Sequence, residues 1–442
     1  MERIRNLLSR RGVRQSLSNV SWLSGDRIIR MFGAVIVTTF VARYLGPSQF
    51  GLLNYGIAIY GLFNVVSNLG LDSLVVRDLA LNETEEPVVL GTAFMLKAGA
   101  SVVTTIAAVV AAWLLDPHNR ILILIVALYS VGSISQALDV VDYLFQSQTK
   151  ARYSVVPRTI VFVVASIVRL AAVFLHSGLL VFAWIGAIEV LLSEVGLLLS
   201  YLSVRRLAPR WNWHFDRGKA FLRESWPLLI SGVMVTIYMR TDQVLLGKLG
   251  SMEAVGNYTA AIRFSEIWYA IPVMLVASVM PRMLRTRETD LARYNARLQT
   301  LYESMVFVSV AIAGATLVLG PLLIRLFYGN QYHSAAGVLS IHIWTGVFVG
   351  VGCIGSQQYI HENITAKILR RTALGAIANV VLNLLWIPRW GGMGSAMATL
   401  VAQGLAAYLG DAIDLQTRHI FRMKTRAYLR FWTLPKRFFY AQ

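Results

Sequence analysis

Cysteine is almost absent from this chain: Cys353 is alone among 442 residues, which excludes an internal disulfide framework. Charge is scarce as well. Asp, Glu, Lys and Arg make up 14% of the sequence, well under the roughly 25% of a water-soluble domain. The seven histidines (His118, His176, His214, His333, His342, His361 and His419) never fall at metal-ligand spacing, so a zinc enzyme does not fit. Negative charge is the scarcest of all, with 23 Asp and Glu against 41 Lys and Arg and a formal net charge of +18. What fills the chain instead is apolar: 56% of residues are hydrophobic and mean hydropathy is +0.58. Such a balance would suggest nucleic acid for a soluble protein, but in a membrane protein Lys and Arg collect in cytoplasmic loops. The basic start (Arg3, Arg5, Arg10, Arg11, Arg14) superficially resembles a signal peptide; the apolar stretch after it carries Asp26, Arg27 and Arg30 and lacks a small-residue cleavage site, so it reads as a first mature helix.

A membrane-spanning helix needs about 20 mostly apolar residues. Scanning at that length predicts twelve spans, near 15–43, 50–71, 88–115, 121–145, 153–175, 179–202, 226–247, 256–281, 300–324, 335–360, 366–386 and 392–416. The breaks carry turn chemistry, as at Gly46-Pro47-Ser48, Asp116-Pro117-His118 and Pro388-Arg389-Trp390-Gly391-Gly392. Lys and Arg in alternate loops number thirty on one side against five on the other, which predicts that both termini are cytoplasmic. The loop 77–86 fits least well because it is acidic, although acidic residues count little in this rule.

An internal repeat is legible at an offset near 204 residues. Ser21-Trp22 precedes Leu45-Gly46 as Ser225-Trp226 precedes Leu249-Gly250, and a glycine opens the next helix in each half, at Gly51 and Gly256. The expected fold is therefore an all-α membrane protein of about twelve transmembrane helices in two pseudo-symmetric six-helix lobes, 15–204 and 226–416. A basic tail (1–14) precedes them, an amphipathic cytoplasmic linker (205–225, with Trp211, Trp213 and Phe215) joins them, and a basic aromatic tail (417–442) follows. Parallel repeats of this kind are an architecture of alternating-access transporters. The tail interleaves seven Lys and Arg with aromatic residues and suits anionic lipid headgroups better than nucleic acid.

Beyond the basic residues counted with the loops, Arg27, Arg30, Lys97, Arg169, Arg240 and Arg263 remain inside predicted spans, and each would cost roughly 2.5–3.5 kcal/mol facing lipid at mid-bilayer. Arg27 and Arg30 share a helix face, and Asp26 is placed to pair with Arg30 at i, i+4. Tyr60, Asn64 and Asn68 make a polar stripe on the second span. Arg240 lies seven residues before Gly247 and Arg263 seven after Gly256, so both are expected about 10 Å below the outer end. Glu266 follows Arg263 at i, i+3. Two readings stay open here: these charges line a cavity, or they are salt bridges that hold the bundle together. On the first, Arg27, Arg30, Asn64, Asn68, Arg240 and Arg263 bind an anionic headgroup, which arginine's planar fork suits. Asp26, Asp242 and Glu266 then balance the charge or carry a coupling ion. Arg169, Asp139 and Asp142 lie near span ends, where they can snorkel; Lys97, Glu189 and Glu194 are deeper and read at least equally well as structural pairs.

The stretch Val41-Ala42-Arg43-Tyr44-Leu45-Gly46-Pro47-Ser48-Gln49-Phe50-Gly51-Leu52-Leu53-Asn54-Tyr55, followed by Asn68-Leu69-Gly70-Leu71-Asp72, resembles the opening of Wzx-type polysaccharide flippases. Further similarity runs through Asp242 to Lys248, Ala254 to Ala261, Asn379 to Asn383, Ile387-Pro388 and Gly391 to Thr399, spanning nearly the whole chain. The resemblance implies the multidrug/oligosaccharidyl-lipid/polysaccharide exporter superfamily and a V-shaped central cavity. It implies movement of undecaprenyl-diphosphate-linked oligosaccharide (an O-antigen, capsule or exopolysaccharide repeat unit) across a bacterial inner membrane, coupled to H⁺, Na⁺ or the membrane potential. It also implies a glycan polymerase and a chain-length regulator as partners, and no enzymatic activity. Lipid II flippases are similar in carrying an Arg and an acidic residue on the eighth helix, a pattern that Arg263 and Glu266 fit. The competing expectations are a cation-coupled multidrug exporter, which would favour an acidic aromatic cavity, and a membrane glycan polymerase or ligase, which would need a longer outer loop than any predicted here.

Overall fold

The computed structural model describes residues 11–205, 211–362, 364 and 366–434; the first ten residues of the basic tail, the start of the linker and the last eight residues lie outside it. Helix dominates the described residues, and no strand occurs among them. That is what hydrocarbon demands, since each backbone N–H and C=O must be satisfied inside its own segment. In chain order the helices are α1 (Arg11–Ser67), α2 (Asp72–Leu81), α3 (Glu86–Leu115), α4 (Arg120–Ser133), α5 (Val140–Ser147), α6 (Arg152–Phe174), α7 (Leu179–Arg205), α8 (Phe215–Leu249), α9 (Met252–Thr289), α10 (Leu291–Tyr328), α11 (His333–His342), α12 (Thr345–His361), α13 (Ala366–Ala407) and α14 (Arg418–Arg430). Among the described residues nine helical segments are long and apolar enough to cross a membrane, or ten when α11 and α12, bent by 42°, count as one broken span. The molecule is a multi-pass membrane protein.

Two elements are too long for single spans. At 1.5 Å per residue, α1 as one straight helix would run about 85 Å, nearly three hydrocarbon thicknesses. It breaks at Gly46 (φ 72°, ψ 168°), and Pro47 restarts the helix where its missing N–H costs nothing. The 42-residue α13 breaks in the same manner at Gly391 (φ 53°, ψ −129°). Elsewhere side chains start helices by accepting orphan N–H groups: Asn119 from Leu122 (3.0 Å), Ser251 from Ala254 (3.1 Å) and Asp290 from Arg293 (2.8 Å).

Contacts divide the chain into two compact units. Unit 1 comprises residues 1–45 and 55–236, and unit 2 comprises 46–54 and 237–442. In unit 1, Leu71, Val75, Leu90, Ala93, Val140, Leu144, Leu197 and Phe221 make a core from α2, α3, α5, α7 and the start of α8. The linker is drawn onto this core. Trp211 packs against Phe94 and Tyr201 at 5.3 and 5.9 Å, and the Asn212 N–H donates to the Pro87 carbonyl at 3.0 Å. Gly91 permits the approach, since a Cβ there would lie 2.5 Å from the Asn212 nitrogen. The acidic loop that sits awkwardly in the charge count also finds its partners here. Arg217 pairs with Asp78 (2.5 Å), Arg77 with Glu224 (2.8 Å) and Arg205 with Glu86, so loop 77–86 and the basic linker share one end of the unit.

The core of unit 2 joins α9, α10, α12 and α14 through Met280, Leu298, Tyr302, Val306, Val351, Ile354 and Ala427. Residues 418–434, within the basic aromatic tail, form a docked amphipathic helix and turn. Ile420, Lys424 and Ala427 are buried while Arg418, Arg422, Arg426 and Arg430 are exposed. The Lys424 ammonium reaches the Ala407 carbonyl (2.7 Å) and the Asp411 carboxylate (2.6 Å), and Tyr359 donates to the same carboxylate.

Candidate functional site

In unit 1, α1 carries Asp26, Arg27 and Arg30. Arg30 Nε donates to Asp26 Oδ1 at 2.7 Å, the i, i+4 pair expected from spacing, and Thr159 of α6 donates to the same oxygen at 2.6 Å. The Arg30 guanidinium stands 5.4 Å from the Phe162 ring centroid, and its Nη2 is buried without an acceptor. Arg27 is exposed and makes no ion pair with a described residue. Along α1 the polar stripe is half-buried: Tyr60 packs 5.8 Å from Tyr129, and Asn64 accepts from the Ser67 hydroxyl. Asn68 is half-buried too, its carbonyl accepting from the Leu71 N–H.

In unit 2, α8 and α9 bring Arg240, Arg263 and Glu266 together. Arg263 Nη1 lies 3.7 Å from Glu266 Oε2, an ion pair too long for a hydrogen bond. Arg240 is within electrostatic reach of both Glu266 and Arg263. The cluster therefore carries two guanidinium groups against one carboxylate, and Arg263 Nε is a buried N–H with no acceptor. An anion with several oxygens would complete it.

Asp242 does not belong to that cluster, although it follows Arg240 by two residues. Its carboxylate turns away into a neutral polar nest, where it accepts from Tyr258 (2.6 Å), Asn383 (3.0 Å) and Thr399 (2.5 Å). The break at Gly391 folds the two parts of α13 together, so that Asn379 and Asn383, one turn apart, meet Ser395 and Thr399, also one turn apart. Asn379 Oδ1, Asn383 Oδ1 and Ser395 Oγ are buried without partners. The nest is thus rich in unsatisfied oxygen, the donor set that hard cations such as Na⁺ use. A cavity of about 20 Å³, lined by both Asp242 and Glu266, lies beside it. His342, also lining this cavity, is buried with its Nδ1 unpartnered.

The residue pattern singles out Asp242 but not Tyr258, Asn379, Asn383, Thr399 or His342 as site residues. The signal was the i, i+4 spacing of polar residues on both sides of Gly391. Arg158, near the start of the predicted span 153–175, is not singled out by spacing either. It lies inside α6 and pairs with Asp142 (3.1 Å) and Glu194 (3.4 Å) as well as Asp139. Arg169, expected to snorkel, pairs with Glu189 at 2.5 Å.

The fold of the described residues has counterparts among solved structures. The fold matches that of the lipid II flippase MurJ in an inward closed conformation, with a TM-score of 0.68 and 14% identity over 93% of this chain and 91% of that one. It matches equally an inward-facing multidrug resistance MATE family transporter of the MOP superfamily, at 0.68 and 14% over 95% and 99%. At such identity the likeness is one of fold. Residues 16–287 match the polysaccharide biosynthesis protein family, and the chain belongs to it. Among curated relatives, it is 28% identical to the probable flippase AglR of Haloferax volcanii over 179 residues (39% of this chain, 37% of that protein). It is 26% identical to the succinoglycan biosynthesis transport protein ExoT of Rhizobium meliloti over 324 residues (70% and 62%). The chain thus spans less than two thirds of the length of either relative.

Proposed function

We propose that the protein is a flippase that moves polyprenyl-diphosphate-linked oligosaccharide from the inner to the outer leaflet of a bacterial plasma membrane. It is a carrier and not an enzyme. The observation that carries this reading is the Arg240, Arg263 and Glu266 cluster, with its surplus positive charge and an unpartnered guanidinium N–H inside a membrane-spanning unit. A diphosphate matches it in charge and geometry. The names of the relatives, flippase and succinoglycan transport protein, point the same way.

In this mechanism Arg240 and Arg263 of unit 2 hold the diphosphate, Arg27 and Arg30 of unit 1 are further substrate-binding residues, and the polyprenyl tail stays in lipid. Asn64 and Asn68 supply hydrogen bonds to sugar hydroxyls. Glu266 neutralises the arginines between cycles, and Asp26 does so for Arg30. The Asp242 nest binds the coupling cation, H⁺ or Na⁺, and its shared cavity with Glu266 links ion and substrate groups. Twelve spans follow when the bent α11–α12 pair counts as one span and α1 and α13 each count as two at their glycine breaks, with lobes at 15–204 and 226–416 working by alternating access. Both termini are cytoplasmic, the exposed Arg418, Arg422, Arg426 and Arg430 face anionic lipid, and a polymerase and chain-length regulator take the product onward.

Charge reversal tests the reading. Arg240→Glu with Arg263→Glu, at unchanged membrane expression, abolishes surface glycan in the native strain; surface glycan at the parental level would overturn it.

A further inference from the structure

Unit 1 contains a second charged cluster that the transport mechanism above leaves unused. Five ionisable side chains meet there: Lys97 of α3, Asp139 just before α5, Asp142 of α5, Arg158 of α6 and Glu194 of α7. Arg158 stands at the centre, paired with Asp139, 3.1 Å from Asp142 Oδ2 and 3.4 Å from Glu194 Oε1. The Lys97 ammonium lies 3.3 Å from Asp139 Oδ2, donates to the Tyr143 hydroxyl at 3.0 Å and stands 5.0 Å from the Tyr143 ring centroid. Asp72, at the start of α2, acts on Tyr143 electrostatically from beyond the cluster.

Three carboxylates face two cations, so the fully ionised cluster carries one surplus negative charge. Burying an uncompensated charge is strongly unfavourable. The geometry shows which carboxyl bears the surplus. Glu194 is only 5% exposed, its Oε2 is buried with no hydrogen-bond donor, and its Oε1 has only the longest of the Arg158 contacts. The guanidinium is held at closer range by the two aspartates. An orphan carboxyl oxygen in a cluster one proton short of neutrality marks a place for a proton. A metal cation fits less well, because guanidinium and ammonium already occupy the aspartate oxygens.

We propose that this cluster is a proton-binding site in which Glu194 takes up the proton and Arg158 serves as the shared counter-charge. Asp139 and Asp142 give the proton its way in, since they remain 22% and 17% exposed while Lys97 and Glu194 are closed off. The site belongs to unit 1 and the Asp242 nest to unit 2, and they share no residue. Proton binding stands by itself; its use to drive flipping rests on the transport reading.

The test is pH-difference infrared spectroscopy of the full chain in lipid nanodiscs. A protonated-carboxyl carbonyl band that disappears on raising the pH is expected in Asp242→Asn, which removes the carboxyl of the other nest, and is absent when Glu194→Gln is added to it. No titrating band in Asp242→Asn, or a band unchanged by adding Glu194→Gln, overturns the proposal. Should Glu194→Gln fail to fold, Lys97→Met removes a buried cation and is expected to raise the titration midpoint by about one pH unit or more; an unmoved midpoint overturns the proposal equally. Loss of the flippase reading through the arginine variants would leave the band untouched, so the two failures are distinguishable.

Discussion

Gly51 and Gly256, equivalent positions in the two sequence repeats, each lie about one turn into a helix, against the other's segment, with no room for a side chain. A Cβ on Gly51 would sit 1.7 Å from the Met252 carbonyl oxygen, and one on Gly256 would sit 2.0 Å from the Pro47 carbonyl oxygen. Both clashes are with backbone, which cannot swing aside as a side chain does. The repeat thus meets itself at two glycines, and α9 crosses the restart of α1 at backbone contact. Gly51→Ala or Gly256→Ala is expected to force that crossing apart, at about 1–3 kcal/mol or more for overpacking. Thermal unfolding in detergent, followed by monodispersity, should show each variant melting well below the parent. Gly314→Ala, where nothing lies within 4 Å, should melt with it.

The Asp242 nest makes a prediction about ions. If Na⁺ binds the oxygens of Asp242, Asn379, Asn383 and Thr399, Na⁺ but not K⁺ should raise the melting temperature, through ligand linkage to the folded state. Asp242→Asn and Thr399→Val should each abolish the difference between the two salts. Equal melting of the parent in both salts would leave a proton as the nest's cation.

Lys424 and Asp411 form an ion pair with both side chains at 0% exposure. Removing one partner strands the other in a dry site, so Lys424→Met is expected to lose about 3–5 kcal/mol of the docking of α14. Lys424→Met combined with Asp411→Leu removes both charges, and most of the loss should return. Protease accessibility of α14 reports this directly, and a double variant as labile as the single one would contradict it.

His419 gives the same helix a pH response. Its Nε2 lies 3.1 Å from Glu362, and that hydrogen bond raises the imidazole above its ordinary 6.5 in the folded state. A raised value means that the folded form holds its proton more tightly. The extra stability is therefore complete below 6.5 and is lost as pH rises through the raised value. The pair is half-exposed and its effect is modest. His419→Gln should loosen α14 at mildly acid pH and match the parent at alkaline pH.

Composition and hydropathy alone determined that this is a helical membrane protein, because no other solvent suits a chain so apolar and so poor in charge. The repeat, its two glycines, the Gly46-Pro47 and Gly391 breaks and the Asp26 to Arg30 pair were also legible, since each depends on spacing within about one helical turn or on an aligned motif. Long-range partnership was not. Asp242 and Arg240 are two residues apart in sequence, yet one enters a neutral oxygen nest and the other faces Glu266, because a helix turns about 100° per residue and sends them to different neighbours. Arg158 and Glu194 likewise meet only through packing of α6 against α7. Which charges pair, and which keep an unsatisfied oxygen or N–H, is a property of four or more helices at once; tertiary structure decided it.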